Sequence, residues 1–105
     1  MGEKTQPTLS IIIPALNEAE NVEACVREVV RVLPGSLPYE MLIFNDGSSD
    51  ATGAIAEKLS LEFSAIRLFH NGTPMGLGYN YAKGVLEARG EFVMMVPGDN
   101  EVRFS

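Results

Sequence analysis

Short continuous runs of apolar residues alternate along this chain with longer segments in which apolar residues recur every three or four positions. The four runs, each of strand length, occupy residues 9–13, 41–44, 65–69 and 92–96. The runs 41–44 and 92–96 are apolar at every position, and the other two contain one polar residue each, Ser10 and Arg67. A run that is apolar throughout is typical of a strand buried on both faces of a parallel sheet. The pattern therefore predicts four strands, of which the first, second and fourth are buried, with the first ending at Pro14.

The segment between the first two runs has the spacing of an amphipathic helix. Apolar residues recur at positions 22, 25, 26, 29 and 33, which places them on one face. We predict a helix over residues 17–33, in which Asn17 and Glu20 form a capping box at the start. Glu23 and Arg27 are four positions apart and would form an outward-facing ion pair.

Two further helices are predicted after the second and third runs. Ser49 is a suitable cap for the second helix, while Gly76 opens the third helix and Gly90 closes it. The apolar positions predicted to face inward are Ala51, Ile55 and Leu59 in the second helix and Leu77, Tyr81, Val85 and Leu86 in the third. His70 is predicted to be a surface residue of the loop after the third strand.

This order of elements, βαβαβαβ, predicts an α/β fold built on a parallel, doubly wound, Rossmann-like sheet, because the crossovers between such strands are right-handed. With strand order 3-2-1-4 the switch point lies between the first and fourth strands, where such sheets bind nucleotides. We assign residues 1–7 to a flexible amino terminus and residues 8–105 to one domain. The fourth strand would be a long apolar edge, which suggests the amino-terminal part of a longer polypeptide, truncated after this strand.

Polar clusters follow three of the four predicted strands. They are Asn17-Glu18, Asn45-Asp46 and Asp99-Asn100-Glu101. Because the carboxyl ends of parallel strands meet at one edge of a sheet, we expect the three clusters to converge there. Carboxylate oxygens suit a hard divalent cation that carries phosphate oxygens. A single cluster could be an acidic turn, but three at one edge favour a binding site.

Composition and charge narrow the classes of partner. The chain is 46% hydrophobic and 21% charged, as in a globular protein. Its net charge of -6, with eight scattered Lys and Arg residues, argues against nucleic acid as a partner. The single cysteine, Cys25, cannot form an internal disulfide and indicates a reducing compartment, so we predict a cytoplasmic location. No window is long and apolar enough to span a membrane.

Two motifs resemble signatures of a known enzyme family. Residues 10–18, with the letters SIIIPALNE, resemble its opening strand and "IPxxNE" signature, and residues 45–52, NDGSSDAT, resemble its "DDGSxDxT" signature. Residues 76–92 are similar to its third-helix and fourth-strand region. Over residues 8–101 the chain thus resembles the family 2 inverting glycosyltransferases of the GT-A fold, which use nucleotide-sugar donors. The resemblance is strongest to the polyprenyl-phosphate (dolichol-phosphate) mannosyltransferase branch.

The resemblance implies a nucleotide-diphosphate sugar donor and an inverting sugar transfer to a polyprenyl phosphate or a saccharide. It places Pro14, Leu16 and Glu18 in the nucleoside pocket, and it implies that Asn45 and Asp46 hydrogen-bond the base or ribose. Gly76 belongs to the same substrate-binding set. In this family membrane segments often follow the donor region, so the resemblance leaves open an attachment to the cytoplasmic face of a membrane.

The resemblance also implies a metal site. Asp99 matches the second aspartate of the family's "DxD" motif, and we expect it to act in catalysis by holding Mg²⁺ or Mn²⁺ together with Glu101. Asn45 departs from the family's aspartate, and Pro97 replaces the first metal-site aspartate. Pro97 leaves open a non-catalytic nucleotide-binding or regulatory module of the same fold. A structural unit that oligomerises through its fourth strand is a second alternative.

Overall fold

A computed structural model of the protein describes residues 6–97. Residues 1–5 of the predicted flexible amino terminus lie outside the described residues, and so do the predicted metal ligands Asp99 and Glu101. The elements, in chain order, are β1 (Leu9–Ala15), α1 (Val22–Val32), β2 (Tyr39–Asp46), α2 (Thr52–Glu62), β3 (Ile66–Asn71), α3 (Leu77–Glu87) and β4 (Phe92–Met95). In the described part of the chain, no helix has both the length and the apolar character needed to cross a bilayer.

The four strands form one parallel sheet in the order β3-β2-β1-β4, which confirms the predicted topology. The switch point lies between β1 and β4, as expected. Strand β1 continues beyond the predicted end, because Pro14 pairs with Phe44 of β2. Proline has no N–H to donate to a neighbouring strand. It is accommodated at position 14 because the pairing between β1 and β4 ends at Ile12 and Met95.

Helices cover both faces of the sheet. Buried residues of β1 and β2 alternate between the two faces: Ile11 and Ile43 pack toward α1 and α2, whereas Ile12 and Phe44 face the side of α3. The predicted burial of β1 and β2 on both faces is confirmed. For β4 the prediction was wrong, because this edge strand leaves Phe92 62% exposed.

Helix α1 begins later than predicted, and the expected capping box is absent. The helix starts at Val22, and Asn17 lies in the preceding loop with a φ of 53°. The carboxamide oxygen of Asn17 instead accepts a hydrogen bond from the amide of Ser49 at 2.8 Å. A contact with a distant loop has therefore replaced the local cap. The predicted ion pair between Arg27 and Glu23 is confirmed, with 2.8 Å between Nε and Oε2.

Helix α2 begins at Thr52 without the predicted cap from Ser49. The carboxylate of Asp50 accepts a hydrogen bond from the amide of Thr52 at 2.9 Å and satisfies the first turn instead. The residues that α2 buries are Thr52, Ala56 and Leu59, so the predicted inward position of Ala51 was wrong. Leu59 faces the core as expected.

Helix α3 differs most from its prediction. The four residues predicted to face inward are exposed, namely Leu77, Tyr81, Val85 and Leu86. The helix instead buries Asn80 and Gly84. A Cβ atom on Gly84 would lie 2.5 Å from Cδ1 of Ile12, so the helix approaches the sheet through its small residue. The helix also ends at Glu87, before the predicted cap Gly90.

A buried carboxylate ties the amino-terminal end of the sheet together. Glu40 of β2 accepts hydrogen bonds from the Ser10 hydroxyl at 2.6 Å, the Arg89 amide at 2.7 Å and the Arg67 guanidinium at 3.2 Å. Burial by itself raises the pKa of Glu40, but these hydrogen bonds outweigh it and hold the pKa below the ordinary value. Glu40 therefore stays ionised and joins β1, β3 and the segment before β4 to β2.

Candidate functional site

A cleft of about 360 Å³ opens at the carboxyl edge of the sheet, beside the ends of β1 and β2 and the start of α3. Its lining comes from both strand ends and from α3: Pro14, Ala15, Leu16, Glu18, Asp46, Gly76, Leu77, Asn80 and Pro97. Five of the six residues predicted to bind substrate are among them, and these are Pro14, Leu16, Glu18, Asp46 and Gly76. The topology has gathered residues from position 14 to position 97 of the sequence.

Asp46, the last residue of β2, connects the sheet to the start of α3. Its carboxylate accepts hydrogen bonds from the amides of Met75 at 2.8 Å and Gly76 at 3.0 Å and from the Asn71 carboxamide at 2.9 Å. Burial alone raises the pKa of Asp46, yet these donors outweigh it and lower the pKa. An ionised Asp46 therefore fixes the amino terminus of α3 at the cleft, where the helix dipole favours an anion.

Asn80 is a site residue that sequence reasoning missed. It is fully buried, and its Oδ1 accepts a hydrogen bond from Asn71 at 2.7 Å. Its Nδ2 is also buried, and the Asn80 side chain is one of the groups whose hydrogen bonding lowers the pKa of Asp46. The spacing of Asn80 and Gly84 could have indicated this position. The two residues are four positions apart and therefore share one face of α3, which is the face that approaches the sheet.

The loops that carry the two motifs are hydrogen-bonded to each other. The amide of Asn17 donates to the Ser48 hydroxyl at 3.0 Å, and the amide of Glu18 donates to the Thr52 hydroxyl at 2.8 Å. In return, the amide of Ser49 donates to the Asn17 side chain. The serine and threonine residues of the second motif therefore support the loop after β1, which lines the cleft.

Asp50 strengthens this connection. Its carboxylate accepts hydrogen bonds from the hydroxyl and amide of Thr52 and from the amide of Ala19 at 3.3 Å. The hydrogen bond from the Thr52 hydroxyl is the main reason that the pKa of Asp50 is lowered. Asp50 is therefore ionised and links the start of α2, where the helix dipole favours negative charge, to the turn that precedes α1.

Asn45 does not line the cleft, although the resemblance places it with Asp46. Neighbouring residues of a strand point to opposite faces, and the Asn45 side chain lies on the α2 face of the sheet. Its Nδ2 is 3.0 Å from Nδ1 of His70, and its Oδ1 accepts a hydrogen bond from the amide of Ser48. His70 lies in β3 and its Nε2 is 3.2 Å from Glu57, so its prediction as a loop residue was wrong.

The described residues do not form a metal site by themselves. Residues 6–97 contain no group of three or more His, Cys, Asp or Glu side chains arranged to hold a metal ion. Pro97, which the resemblance aligns with the family's first metal-site aspartate, lines the cleft, and its side chain offers no ligand atom. Its carbonyl oxygen accepts a hydrogen bond from the Cys25 thiol, with 3.6 Å between the two heavy atoms. Asp99 and Glu101 lie outside the described residues.

The chain is similar to curated glycosyltransferases over most of its length. It is 30% identical over 109 residues to a dolichyl-phosphate beta-glucosyltransferase, ALG5D, of Trichomonas vaginalis, which covers 98% of the chain and 33% of that relative. It is 35% identical over 94 residues to a cholesterol galactosyltransferase of Borreliella burgdorferi, covering 90% of the chain and 25% of the relative. The chain therefore spans a third or less of the length of these relatives.

Solved structures share the fold. The mannosyltransferase PcManGT of Pyrobaculum calidifontis, solved with GDP-Man and Mn²⁺, matches with a TM-score of 0.78 and 20% identity, over 90% of this chain and 28% of that one. TarS of S. aureus, residues 1–349 with UDP-GlcNAc, matches with a TM-score of 0.77 and 24% identity, over 88% of this chain and 26% of that one. These matches confirm the predicted Rossmann-like architecture. The family model for glycosyl transferase family 2 matches residues 10–104, and the chain belongs to that family.

Proposed function

We propose that this chain forms the donor-binding part of a glycosyltransferase that moves a sugar from a nucleotide-diphosphate sugar to an acceptor with inversion. The observation that carries the proposal is the cleft at the carboxyl edge of the sheet, which Pro14, Leu16, Glu18, Asp46 and Gly76 line together. Doubly wound sheets bind nucleotides at this edge. Because the chain belongs to glycosyl transferase family 2, we infer that the bound nucleotide carries a sugar.

The lining suggests a role for each part of the cleft. Pro14 and Leu16 offer an apolar wall for the base and ribose, and Leu16 is 42% exposed and accessible to a ligand. Glu18, beside them, supplies carboxylate oxygens that can accept hydrogen bonds from ribose hydroxyls. Gly76, at the amino terminus of α3, lines the cleft without a side chain and leaves room for the ligand beside Asp46. Asp46 holds that terminus in place.

A polyprenyl phosphate is the acceptor that we favour. The relative from Trichomonas vaginalis is a dolichyl-phosphate beta-glucosyltransferase, and it matches 98% of the chain. Such a phosphate is already ionised at neutral pH, so its attack on the anomeric carbon needs little help from a general base. This acceptor would place the reaction at the cytoplasmic face of a membrane. The alternative acceptor, a saccharide hydroxyl, would need a base.

For the metal, we keep Asp99 with Glu101 as the proposed ligands of Mg²⁺ or Mn²⁺, and Asp99 as the proposed catalytic group. Mn²⁺ accompanies GDP-Man in PcManGT, which supports a divalent ion for this fold. A bound ion would neutralise charge on the diphosphate leaving group. Pro97, in place of a carboxylate at the cleft, favours the second candidate function, a nucleotide-binding module without transferase activity.

Calorimetric titration of the full-length protein with UDP, GDP and their sugar conjugates, with and without Mn²⁺, tests the proposal. We expect binding of at least one conjugate, and we expect Asp46→Asn to weaken it by roughly tenfold or more, because the start of α3 loses its anchor. Glu57→Gln, a change on exposed α2 surface, is the control and should leave binding unchanged. Binding of none of these ligands would contradict the proposal, and binding without transfer to any acceptor would support the module.

A further inference from the structure

His70 and Asn45 form a cross-strand pair on the α2 face of the sheet. The two residues are register partners in β3 and β2, and Nδ1 of His70 lies 3.0 Å from Nδ2 of Asn45. His70 is the single histidine of the 105-residue sequence. A Cβ atom added to Gly53 of α2 would lie 2.8 Å from the same Nδ2. Helix α2 therefore packs closely on the pair and leaves Asn45 little room to turn.

The hydrogen bonds of Asn45 determine which nitrogen of His70 carries the proton. The amide of Ser48 donates to Oδ1 of Asn45 at 3.3 Å, which turns the NH₂ group of Asn45 toward His70. That group can only donate, so Nδ1 of His70 must be an unprotonated acceptor. The proton of the neutral ring then lies on Nε2, which is 3.2 Å from a carboxylate oxygen of Glu57. The arrangement thus requires a neutral imidazole.

Within residues 6–97, the charged groups around His70 lie away from its Nδ1. Helix α2 contributes Glu57, which faces Nε2. In β2 the neighbour of Asn45 is Asp46, whose carboxylate points to the cleft and binds the start of α3. In β3 the guanidinium of Arg67 lies on the opposite face of the sheet. A second proton on the ring would therefore face the NH₂ group of Asn45.

Protonation of His70 would set two donors against each other. Asn45 could offer Oδ1 to the charged ring only by reversing its carboxamide, and the amide of Ser48 would then lose its acceptor. Ser48 supports the loop after β1, because its hydroxyl accepts from the amide of Asn17 at 3.0 Å and donates to the carbonyl oxygen of Ala15 at 3.5 Å. Ala15 lines the cleft. The charge on His70 is therefore connected to the cleft through two side chains.

We propose that His70 is a positioning residue for the donor cleft, and that its neutral form is the one that holds the cleft in shape for a nucleotide sugar. This inference rests on the proposed function. His70 does not line the cleft and acts through Asn45 and Ser48. Asn45 stands where the resemblance implies an aspartate. An aspartate carboxylate could accept from both the Ser48 amide and a charged imidazole, so the asparagine makes the pair sensitive to pH.

The test compares the binding of UDP-GlcNAc and GDP-Man to the full-length protein at about pH 8 and about pH 5.5, the range in which imidazole gains its proton. Calorimetry gives the affinities. The sugar esterifies the terminal phosphate of these conjugates, which removes the group of a free diphosphate that gains a proton in the same range. We expect binding to be roughly tenfold weaker at the lower pH, because protonation reduces the fraction of binding-competent protein.

Variants of the pair separate positioning from a general effect of acid. His70→Leu offers no acceptor and should weaken binding at both pH values. His70→Asn should recover most of the affinity at both, since its Oδ1 can accept in place of Nδ1 but gains no proton. Asn45→Asp should remove the loss of affinity in acid, because its carboxylate accepts from the charged ring.

A second measurement does not depend on the folding of any variant. Nitrogen-15 NMR of the unmodified protein at about pH 8 should show His70 as the Nε2–H tautomer. The Nδ1–H tautomer, an affinity that does not fall in acid, or an equal fall in His70→Asn and the unmodified protein would overturn this inference and leave the proposed function standing. Binding of no nucleotide sugar at either pH would contradict the proposed function itself.

Discussion

The main-chain amide of Glu18 donates a hydrogen bond to the hydroxyl of Thr52 at 2.8 Å, across 34 positions of sequence. The same hydroxyl donates to the carboxylate of Asp50. Thr52 is fully buried and uses its oxygen in both directions, so the loop after β1 and the start of α2 depend on one side chain. The two motifs therefore act as a mutually supporting pair, and only part of each lines the cleft.

Replacing this hydroxyl should destabilise the protein and the cleft together. Thr52→Val keeps the shape of the side chain but leaves the Glu18 amide without its acceptor, so we expect a loss of about 1–3 kcal/mol in the free energy of unfolding. Urea unfolding measures this loss, and calorimetry should show weaker nucleotide binding. Thr52→Ser keeps the hydroxyl and is the matched control. A Val variant as stable as the Ser variant would contradict the prediction.

The buried carboxylate of Glu40 should make the stability of the protein fall in acid. Its pKa in the folded protein is lowered from 4.5, so it contributes stability above that pH, and the contribution is lost as the pH falls through the folded pKa. Glu40→Gln should cost about 3 kcal/mol at neutral pH, because Arg67 and the Arg89 amide lose a charged partner.

The pH profile separates this effect from a simple packing defect. Unfolding measured between neutral pH and about pH 3 should show a smaller acid-dependent loss in Glu40→Gln than in the unmodified protein. Glu87→Gln removes a more exposed partner of the same Arg67 and should change little at any pH. Parallel pH profiles for the unmodified protein and Glu40→Gln would rule out the assigned role of Glu40.

The close packing of α3 on the sheet gives opposite predictions for two glycines of the same helix. At Gly84 an added methyl would lie 2.5 Å from Ile12, so Gly84→Ala should destabilise the protein by about 1–3 kcal/mol. At Gly78 nothing lies within 4 Å of the added atom, and Gly78→Ala should stabilise the protein by about 0.4–1 kcal/mol. Thermal unfolding measures both, and the same sign for both would contradict the packing described.

Restoring a carboxylate at position 97 tests the proposed metal site. The resemblance aligns Pro97 with the family's first metal-site aspartate, and on that alignment Pro97→Asp should tighten Mn²⁺ binding roughly tenfold, or about 1.4 kcal/mol. Asp99→Asn in the same background should remove this gain. Titration of Mn²⁺ in the presence of the bound nucleotide gives both values. If Pro97→Asp binds Mn²⁺ no better than the unmodified protein, the proposed ligand set is wrong.

Continuous apolar runs allowed the sheet to be predicted, since a strand that is apolar on both faces is stable only with helices on each side. The handedness of the crossovers then limited the strand order. These two rules were enough to expect Glu18 and Asp46 at one edge, where the structure indeed brings them together, and the resemblance added Pro14. Their roles toward a ligand remain predictions. The two motifs predicted the family through their resemblance to its signatures, and the family model confirms it.

What the sequence by itself determined is the order of the sheet, the edge at which the cleft opens and the family. Only the tertiary structure decided the late start of α1, the buried face of α3 and the side of the sheet on which Asn45 lies. In each case a polar side chain contacts a partner outside its own helix, strand or loop: Asn17 contacts Ser49, Asn45 contacts His70, and Asn80 contacts Asn71. Local patterns record hydrophobic spacing, but such hydrogen bonds exist only once the folded chain brings both partners together.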